Sequence, residues 1–139
     1  DYLATGLSLK AHPVTILEPY FLVDGWQPCS IAIDIMDGKK HQLIGLVTGR
    51  QMPGTAKGTV FITLEDAHYS LNVIVWPAIV RAYRAALLGS HLLGVSGRIQ
   101  KQGKIIHLIA DKLVNCDLYL QYLRTPELKM PILKSRNFR

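Results

Sequence analysis

Apolar and polar residues alternate along the middle of the chain, a pattern that predicts β-strands. Within residues 59–65, Val60, Ile62 and Leu64 share one face, while Phe61 and two threonines share the other. Side chains of a strand point to opposite faces in turn, so such a segment buries one face and exposes the other. The pattern predicts a half-buried strand with an aromatic ring on its outer side.

Five such strands and one helix follow one another in the central part of the chain. We predict strands over 41–52, 59–65, 71–76, 91–100 and 104–110. Apolar residues at helical spacing predict a helix over 78–88, which Pro77 begins and Gly89 ends. Three strands, a helix and two strands is the element order of the OB-fold, an all-β, five-stranded Greek-key barrel with its helix between strands 3 and 4.

Extensions flank this barrel on both sides. Residues 1–40 form a lead-in with short helices, 41–110 form the OB-fold domain, and 111–139 form a C-terminal extension with a helix over 113–123 and a flexible end. Glycines fall inside the first and fourth strands, where they indicate bends or bulges that let a small barrel close. They are Gly45, Gly49, Gly94 and Gly97.

Composition and charge favour a globular domain with a polyanionic partner. The chain has 139 residues, of which 49% are hydrophobic and 19% charged, and its formal net charge is +6. Residues 41–110 hold seven basic and two acidic side chains, so the excess is concentrated in the predicted barrel and in the tail.

Several chemistries are disfavoured by the sequence. Cys29 and Cys116 are far apart, which argues against a disulfide framework or a zinc site and fits a cytoplasmic location. The histidines lack metal-ligand spacing, and Glu65 and Asp66 point to opposite faces of one strand. We therefore expect no catalytic residue, metal or cofactor in this chain, no membrane segment, and no independent hydrolase or nuclease activity. The chain begins at Asp1, which we interpret as a piece of a longer protein.

Several segments, which follow one another in the same order as in the family, resemble the C-terminal OB-fold region of error-prone bacterial C-family DNA polymerases. These enzymes are relatives of the DNA polymerase III alpha subunit. The segments are GLV at 45–47, RQMPGTAKG at 50–58, FITLED at 61–66, NVIVWP at 72–77, GVSGRIQ at 94–100 and HLIA at 107–110, with TGLSLKAHP at 5–13 and SRNFR at 135–139 at the two ends. The turn at 66–70 departs from the family's acidic-threonine-glycine pattern, and residues 19–40 match the family poorly.

The resemblance implies a parent DNA-directed DNA polymerase that performs translesion synthesis during damage-induced mutagenesis. In that family the catalytic aspartates and their divalent metal, Mg²⁺, belong to an upstream palm domain. The expected partners are single-stranded DNA, the remainder of the parent polymerase, accessory mutagenesis proteins and a sliding clamp.

An OB barrel binds single strands across its second and third strands and the 1–2 and 4–5 loops. Such binding needs cations along the backbone path and flat side chains for stacking. The candidate nucleic-acid-binding residues are Arg50, Lys57, Phe61, Tyr69, Asn72, Arg98, Lys101 and Lys104.

The aromatic and amide candidates each have a structural alternative. Phe61 is predicted to stack on a base, or to pack beneath the tail or the lead-in. Tyr69 stands at the hairpin tip, where it can stack also. Trp76 ends a strand before the helix, and we expect it in the core. Asn72 either meets a base edge or holds the turn, and we favour the turn.

Two functions remain open from the sequence. The barrel holds template single strand for the parent polymerase, by electrostatic tracking and stacking with little sequence preference. Alternatively, the barrel or the tail is a protein-protein docking module within a mutagenesis complex. Salt sensitivity of binding discriminates between them.

Overall fold

A computed structural model describes residues 11–54 and 57–123 of the chain. Its strands are β1 (Gln27–Pro28), β2 (Lys40–Gln51), β3 (Val60–Glu65), β4 (Ser70–Val75), β5 (Leu92–Gln102) and β6 (Ile105–Asn115). Its helices are α1 (Pro13–Leu22), α2 (Pro77–Ala82) and α3 (Arg84–Gly89), with 3-10 helices at Cys29–Asp34 and Asp117–Leu123.

The sheet closes on itself as a barrel. Its strand order is β1-β2-β3-β4-β6-β5, and β2 also pairs with β5, so that β2, β3, β4, β6 and β5 form a ring. The β4–β6 pairing is parallel, and the other pairings within the ring are antiparallel. With α2 and α3 between β4 and β5, the fold is the predicted OB-type barrel, to which β1 adds a short parallel edge.

The side chains that the apolar–polar alternation assigned to the core fill the interior of the barrel. Val60, Ile62 and Leu64 of β3 are buried, as are Leu71, Val73 and Val75 of β4. Val80 of α2 and Leu87 of α3 pack into the same cluster and cover one end of the barrel. Burial of these aliphatic side chains stabilises the fold by about 1.5–3 kcal/mol each.

The helix after β4 is shorter and less regular than predicted. It breaks at Tyr83, whose φ of −122° and ψ of 33° leave the helical region, into α2 and α3. Neither glycine nor proline stands at the break, so nothing in the local sequence marks it.

The helix predicted over 113–123 begins later than expected, and only its part from Asp117 to Leu123 is helical, as a 3-10 helix. Strand β6 continues to Asn115, well past the predicted end at residue 110, because Leu113 still faces the barrel core and the backbone still pairs with β5. A 3-10 helix then begins at Asp117, whose Oδ1 accepts hydrogen bonds from the backbone N–H groups of His91 (2.8 Å) and Leu92 (2.7 Å). The tertiary pairing with β5 overrides a local helical pattern.

The lead-in and the segment after β6 pack together outside the barrel. Helix α1 begins after His12, whose Nδ1 accepts a hydrogen bond from the Val14 N–H. A second hydrophobic cluster joins α1, the outer side of β2 and β5, and the 3-10 helix 117–123. Its buried members are Val14, Leu17, Phe21, Trp26, Ile44, Leu46, Leu92, Cys116, Tyr119, Tyr122 and Leu123.

Two glycines of β5 allow close approaches that larger residues would prevent. A Cβ on Gly94 would lie 2.6 Å from the indole of Trp26, and a Cβ on Gly97 would lie 2.1 Å from the carbonyl oxygen of Ile109. The pairing between β5 and β6 shifts register between Ser96 and Gly97, as expected for a bulge that bends a strand around a small barrel.

Candidate nucleic-acid interface

The strand register places residues of four strands in one line across the outside of the barrel. Phe61 of β3 lies opposite Ile74 of β4, Ile74 lies beside Ile109 of β6, and Ile109 lies opposite Arg98 of β5. Paired residues project from the same side of a sheet. Phe61 and Arg98 are exposed, and the two isoleucines are half-buried. We call this line of four residues the apolar row.

A second line of polar residues runs beside the apolar row. Thr63 lies opposite Asn72, Asn72 lies beside His107, and His107 lies opposite Gln100. This polar row offers hydroxyl, amide and imidazole groups for hydrogen bonding, and it lies two residues along each strand from the apolar row. Together the two rows form the outer face, which offers aliphatic, aromatic and amide groups side by side.

Phe61 occupies the position that the alternation predicted. Its side chain is 36% exposed, and its cross-strand neighbours are Ile74 and Gln51. Thr63 also lies on this outer side, half-buried. The third residue assigned to this side, Thr59, is buried instead, just before β3 begins. The ring of Phe61 is therefore presented to solvent at the β3 end of the apolar row.

The prediction that Trp76 packs in the core was wrong. Its side chain is 52% exposed. Because Val75 takes the core position, the alternation along β4 continues outward from Asn72 and Ile74 to Trp76. The two-residue alternation of the strand already places Trp76 on the outer side. The expectation that it is buried rested only on its position at the end of a strand, just before a helix.

Asn72 does not hold the hairpin turn, contrary to our preferred interpretation. It lies within β4, is exposed, and pairs with Thr63 on one side and His107 on the other. Sequence reasoning did not select His107 or Gln100, although the order of the strands brings His107 beside Asn72 and Gln100 opposite His107. No local signal identifies them, because the parallel β4–β6 pairing joins segments that are distant in sequence.

Asp66 holds the turn between β3 and β4. Its Oδ1 accepts hydrogen bonds from the backbone N–H groups of His68 (2.9 Å) and Tyr69 (3.0 Å), and its Oδ2 accepts one from Ser30 N–H (2.9 Å). Burial alone would raise the pKa of this carboxyl, but the hydrogen bonds from Ser30, His68 and Tyr69 hold the pKa below its usual value. The carboxylate thus links the hairpin to the 3-10 helix Cys29–Asp34.

Tyr69 is anchored at the hairpin tip. Its side chain is half-buried and packs against the barrel core. Burial, followed by the nearby thiol of Cys29, raises the pKa of its phenol. Of the candidate aromatic residues, Tyr69 therefore presents less ring surface to a base than Phe61 or Trp76 does.

Arg50 points away from Phe61. It pairs with Ile62, a core residue, so its side chain leaves β2 on the inner side, while Gln51 shares the side of Phe61. The guanidinium donates hydrogen bonds to the carbonyl oxygens of Leu87 (2.7 Å from Nε) and Ser90 at the end of α3. A cation satisfies the last carbonyls of a helix in this way.

We expect Arg50→Met to lower the free energy of unfolding by about 2 kcal/mol, because two charge-assisted hydrogen bonds to the end of α3 are lost. Urea denaturation followed by circular dichroism measures this change. Arg84→Met, at an exposed arginine of α3, is the matched control and should leave stability almost unchanged. Wild-type stability of Arg50→Met would contradict the anchoring role.

Arg98 and Lys101 are held against the segment that precedes β2. The Arg98 guanidinium donates to the carbonyl of Gly38 (2.7 Å), and the Lys101 ammonium donates to the carbonyl of Ile33 (2.8 Å). The Lys101 N–H also donates to Asp37 Oδ1 (2.7 Å). A groove of about 340 Å³ runs between these groups and Ile109. The two cations are thereby oriented at one end of the apolar row.

Lys57 and Lys104 are exposed, and neither makes a side-chain hydrogen bond or ion pair within the described part of the chain. Lys57 has a left-handed φ of 51° in the loop before β3, where the next residue, Gly58, has a φ of 97°. Lys104 follows Gly103 in the tight turn between β5 and β6. Because β2 is the first strand of the barrel, the β2–β3 loop with Lys57 and the β5–β6 turn with Lys104 are the 1–2 and 4–5 loops of the OB-fold.

Metal-ligating side chains are dispersed, and both cysteines are buried, in the part of the chain that the structure describes. Within residues 11–54 and 57–123, no three His, Cys, Asp or Glu side chains lie together as metal ligands do. Burial raises the pKa of the Cys29 thiol strongly and that of Cys116 to about 12, which keeps both thiols protonated and unreactive. In the described residues, no helix is long and apolar enough to span a bilayer.

Comparison with known proteins identifies close relatives in sequence. The chain is 41% identical over 138 residues to an error-prone DNA polymerase of Vibrio parahaemolyticus, a match that covers 99% of this chain and 13% of that protein. It is 42% identical over 113 residues to error-prone DNA polymerase 2 of Agrobacterium fabrum, covering 81% of this chain and 10% of that protein. The chain thus corresponds to a small part of much longer relatives. No protein-family model matches it.

Solved structures agree on the fold. An aspartyl-tRNA synthetase of Entamoeba histolytica superposes on 63% of this chain with a TM-score of 0.50 and 12% sequence identity, and the matched region is 20% of that chain. At this identity the likeness extends to the barrel architecture alone.

Proposed function

We propose that this chain, which is homologous over almost its whole length to a segment of the error-prone DNA polymerases, binds single-stranded DNA across its outer face. The observation that carries the proposal is the apolar row, in which an exposed phenylalanine and two isoleucines lie in register across β3, β4 and β6. Arg98 stands at the β5 end of this row, and Lys57 lies in the loop before β3.

Stacking and apolar contact provide the first part of the proposed affinity. Phe61 is exposed at the β3 end of the apolar row, and a nucleobase can lie flat on its ring at a gain of about 1–3 kcal/mol. Ile74 and Ile109 extend the apolar surface toward Arg98. Every base has a flat apolar face, so this contribution carries little sequence preference.

Electrostatic attraction to the phosphates provides the second part. Lys57 stands in the loop at one side of the face, and Arg98, Lys101 and Lys104 lie around the β5–β6 hairpin at the other. The ammonium groups of Lys57 and Lys104 have no partner in the described residues, so they need not break an internal contact to meet a phosphate. Release of condensed counterions makes this contribution salt-dependent.

For the longer protein we propose translesion DNA synthesis during damage-induced mutagenesis, in which this barrel holds the single-stranded template. We further propose that nucleotidyl transfer, with the Mg²⁺ that it needs, belongs to another part of that protein. Accessory mutagenesis proteins and a sliding clamp are the partners proposed for the whole assembly.

The proposal is tested by fluorescence anisotropy of a labelled oligo-dT strand titrated with the chain at several salt concentrations. Phe61→Ala should weaken binding about tenfold, since one stacking contact is lost. Lys57→Ala/Lys104→Ala should weaken binding further at low salt. It should also reduce the slope of log affinity against log salt by about 0.7 for each lost phosphate contact.

Arg81→Ala/Arg84→Ala is the charge-matched control, because it removes two exposed cations from α2 and α3 outside the outer face. Its affinity for oligo-dT should remain near that of the wild type. An equal loss in the control would show unspecific attraction and contradict this location of the site. Absence of wild-type binding even at low salt would overturn the DNA-binding function and favour the protein-docking alternative.

A further inference from the structure

Trp76 stands diagonally across from Phe61, one step beyond the apolar row, and both side chains are exposed to solvent. We propose that the two rings form a subsite for one nucleobase, which is held between the Trp76 indole and the Phe61 ring. The inference deepens the proposed function and rests on it.

The register sets the backbone spacing of Phe61 and Trp76. Phe61 pairs with Ile74, and Trp76 lies two residues further along the chain, so both side chains leave the sheet on the same side. The backbone positions of such diagonal neighbours are about 7–8 Å apart, within reach of aromatic side chains. Two flat side chains at this backbone spacing can contact one base from both sides.

Neither ring is covered by another aromatic side chain in the described residues. Among the described aromatic residues, ring contacts join Tyr20 to Tyr122 and Phe21 to Tyr119, and no ring contact joins Phe61 to Trp76. Trp76 is 52% exposed and Phe61 is 36% exposed. A base between them would cover apolar ring surface of both residues, which is favourable because that surface now faces water.

The backbone of Trp76 is fixed before any ligand arrives. Its carbonyl accepts hydrogen bonds from the Ile79 N–H (2.9 Å) and the Val80 N–H (3.0 Å), and Pro77 begins α2 immediately after it. Pro77 restricts the chain further, because its ring fixes its own φ and limits the residue before it. Little backbone entropy is therefore lost when the indole binds a base.

A cation accompanies this pair of rings. The backbone of Gly58 passes close to Pro77, since a Cβ on Gly58 would lie 3.6 Å from the proline ring. The neighbouring residue, Lys57, is thus near the start of α2, which follows Trp76 directly. A nucleotide held between the rings would have its phosphate within reach of the Lys57 ammonium, which makes the subsite fit one complete nucleotide.

Intrinsic fluorescence tests the inference directly, because the two tryptophans differ in environment. Trp26 is 9% exposed and packs against Gly94 in the second cluster, whereas Trp76 faces solvent. Titration with unlabelled oligo-dT should quench the emission of Trp76, and Trp76→Phe should abolish this quenching. An abasic oligonucleotide of equal length, which retains the phosphates but has no base to stack, should leave the emission unchanged.

Affinity gives a second readout. Trp76→Ala should weaken oligo-dT binding about tenfold in the anisotropy assay, and Trp76→Phe should restore most of the affinity, because a flat ring remains. Leu118→Ala is the matched control, since Leu118 is 57% exposed on the 3-10 helix Asp117–Leu123 and lies outside the outer face. Its affinity should equal that of the wild type.

The outcomes separate this inference from the proposed function. If the wild type binds oligo-dT, but its emission is not quenched and Trp76→Ala binds equally well, the subsite is overturned and the DNA-binding function stands. If no variant binds oligo-dT at low salt, the proposed function itself fails. If Trp76→Ala is unstable by urea denaturation, the quenching of the folded wild type by oligo-dT, and its absence with the abasic oligonucleotide, decide the question.

Discussion

Replacing Gly97 with alanine is expected to lower the free energy of unfolding by about 4 kcal/mol or more, the largest effect of a single substitution that we foresee in this chain. The new Cβ would lie 2.1 Å from the carbonyl oxygen of Ile109, 2.9 Å from its carbonyl carbon and 3.1 Å from Cα of Ala110. All three are backbone atoms of β6, so no side-chain rotation relieves the clash. The β5–β6 pairing would have to separate at the bulge.

Urea denaturation followed by far-ultraviolet circular dichroism measures the effect of Gly97→Ala. Gly49→Ala is the control, because Gly49 also lies at a register shift, between β2 and β3, but a Cβ there would make an ordinary contact at 3.5 Å with Thr63 Oγ1. The control should unfold within about 1 kcal/mol of the wild type. Equal stability of the two variants would contradict the proposed close approach of β5 and β6.

Asp66→Ala is expected to cost about 3 kcal/mol of folding free energy. The substitution removes the acceptor of three backbone N–H groups, from Ser30, His68 and Tyr69, in a place where the carboxylate is only 4% exposed. Donors left without a partner away from water are destabilising, and hydrogen bonds to a charged acceptor are stronger than neutral ones. Glu65→Ala, which removes the same charge from the adjacent residue, should have a small effect.

The loss in Asp66→Ala should depend on pH in a definite direction. Hydrogen bonding lowers the pKa of Asp66 below its ordinary value of 3.8 in the folded state, despite burial, so the folded protein favours the ionised form. The stabilisation is complete above that value and is lost as the pH falls through the lower folded-state pKa. The difference in unfolding free energy between wild type and Asp66→Ala should therefore shrink in acid, and a constant difference would contradict this account.

These two substitutions concern the architecture that supports the outer face. Gly97 stands beside Arg98, and Asp66 joins the ends of β3 and β4, which supply Phe61 and Trp76. The 66–70 turn departs from the pattern of the polymerase family. It is nevertheless stabilised by the carboxylate of Asp66, which accepts hydrogen bonds from backbone N–H groups within the turn. A folded Asp66→Asn variant, which retains one acceptor oxygen, permits DNA binding to be measured with the turn weakened.

Much of the fold was accessible from the sequence because its signals are local. Alternation identified β3 and β4 and separated Phe61 from its buried neighbours, Val60 and Ile62, and the order of strands and helix identified the barrel. Period-two and helical patterns arise from backbone geometry over a few residues, so they can be recognised without knowing what the segment packs against. The same alternation also assigned Trp76 to the outer side, although we expected the residue in the core.

Only the tertiary structure decided which side chains meet. The parallel pairing of β4 with β6 brings His107 beside Asn72, and pairing with β5 extends β6 through 113–115, where the local pattern predicted a helix. The direction of Arg50 toward α3, like the anchoring of Lys101 on Ile33, depends on segments far away in the chain. The sequence by itself determined the barrel and its exposed phenylalanine, since local patterns encode them. The composition of the outer face follows from long-range register, which no short window of residues contains.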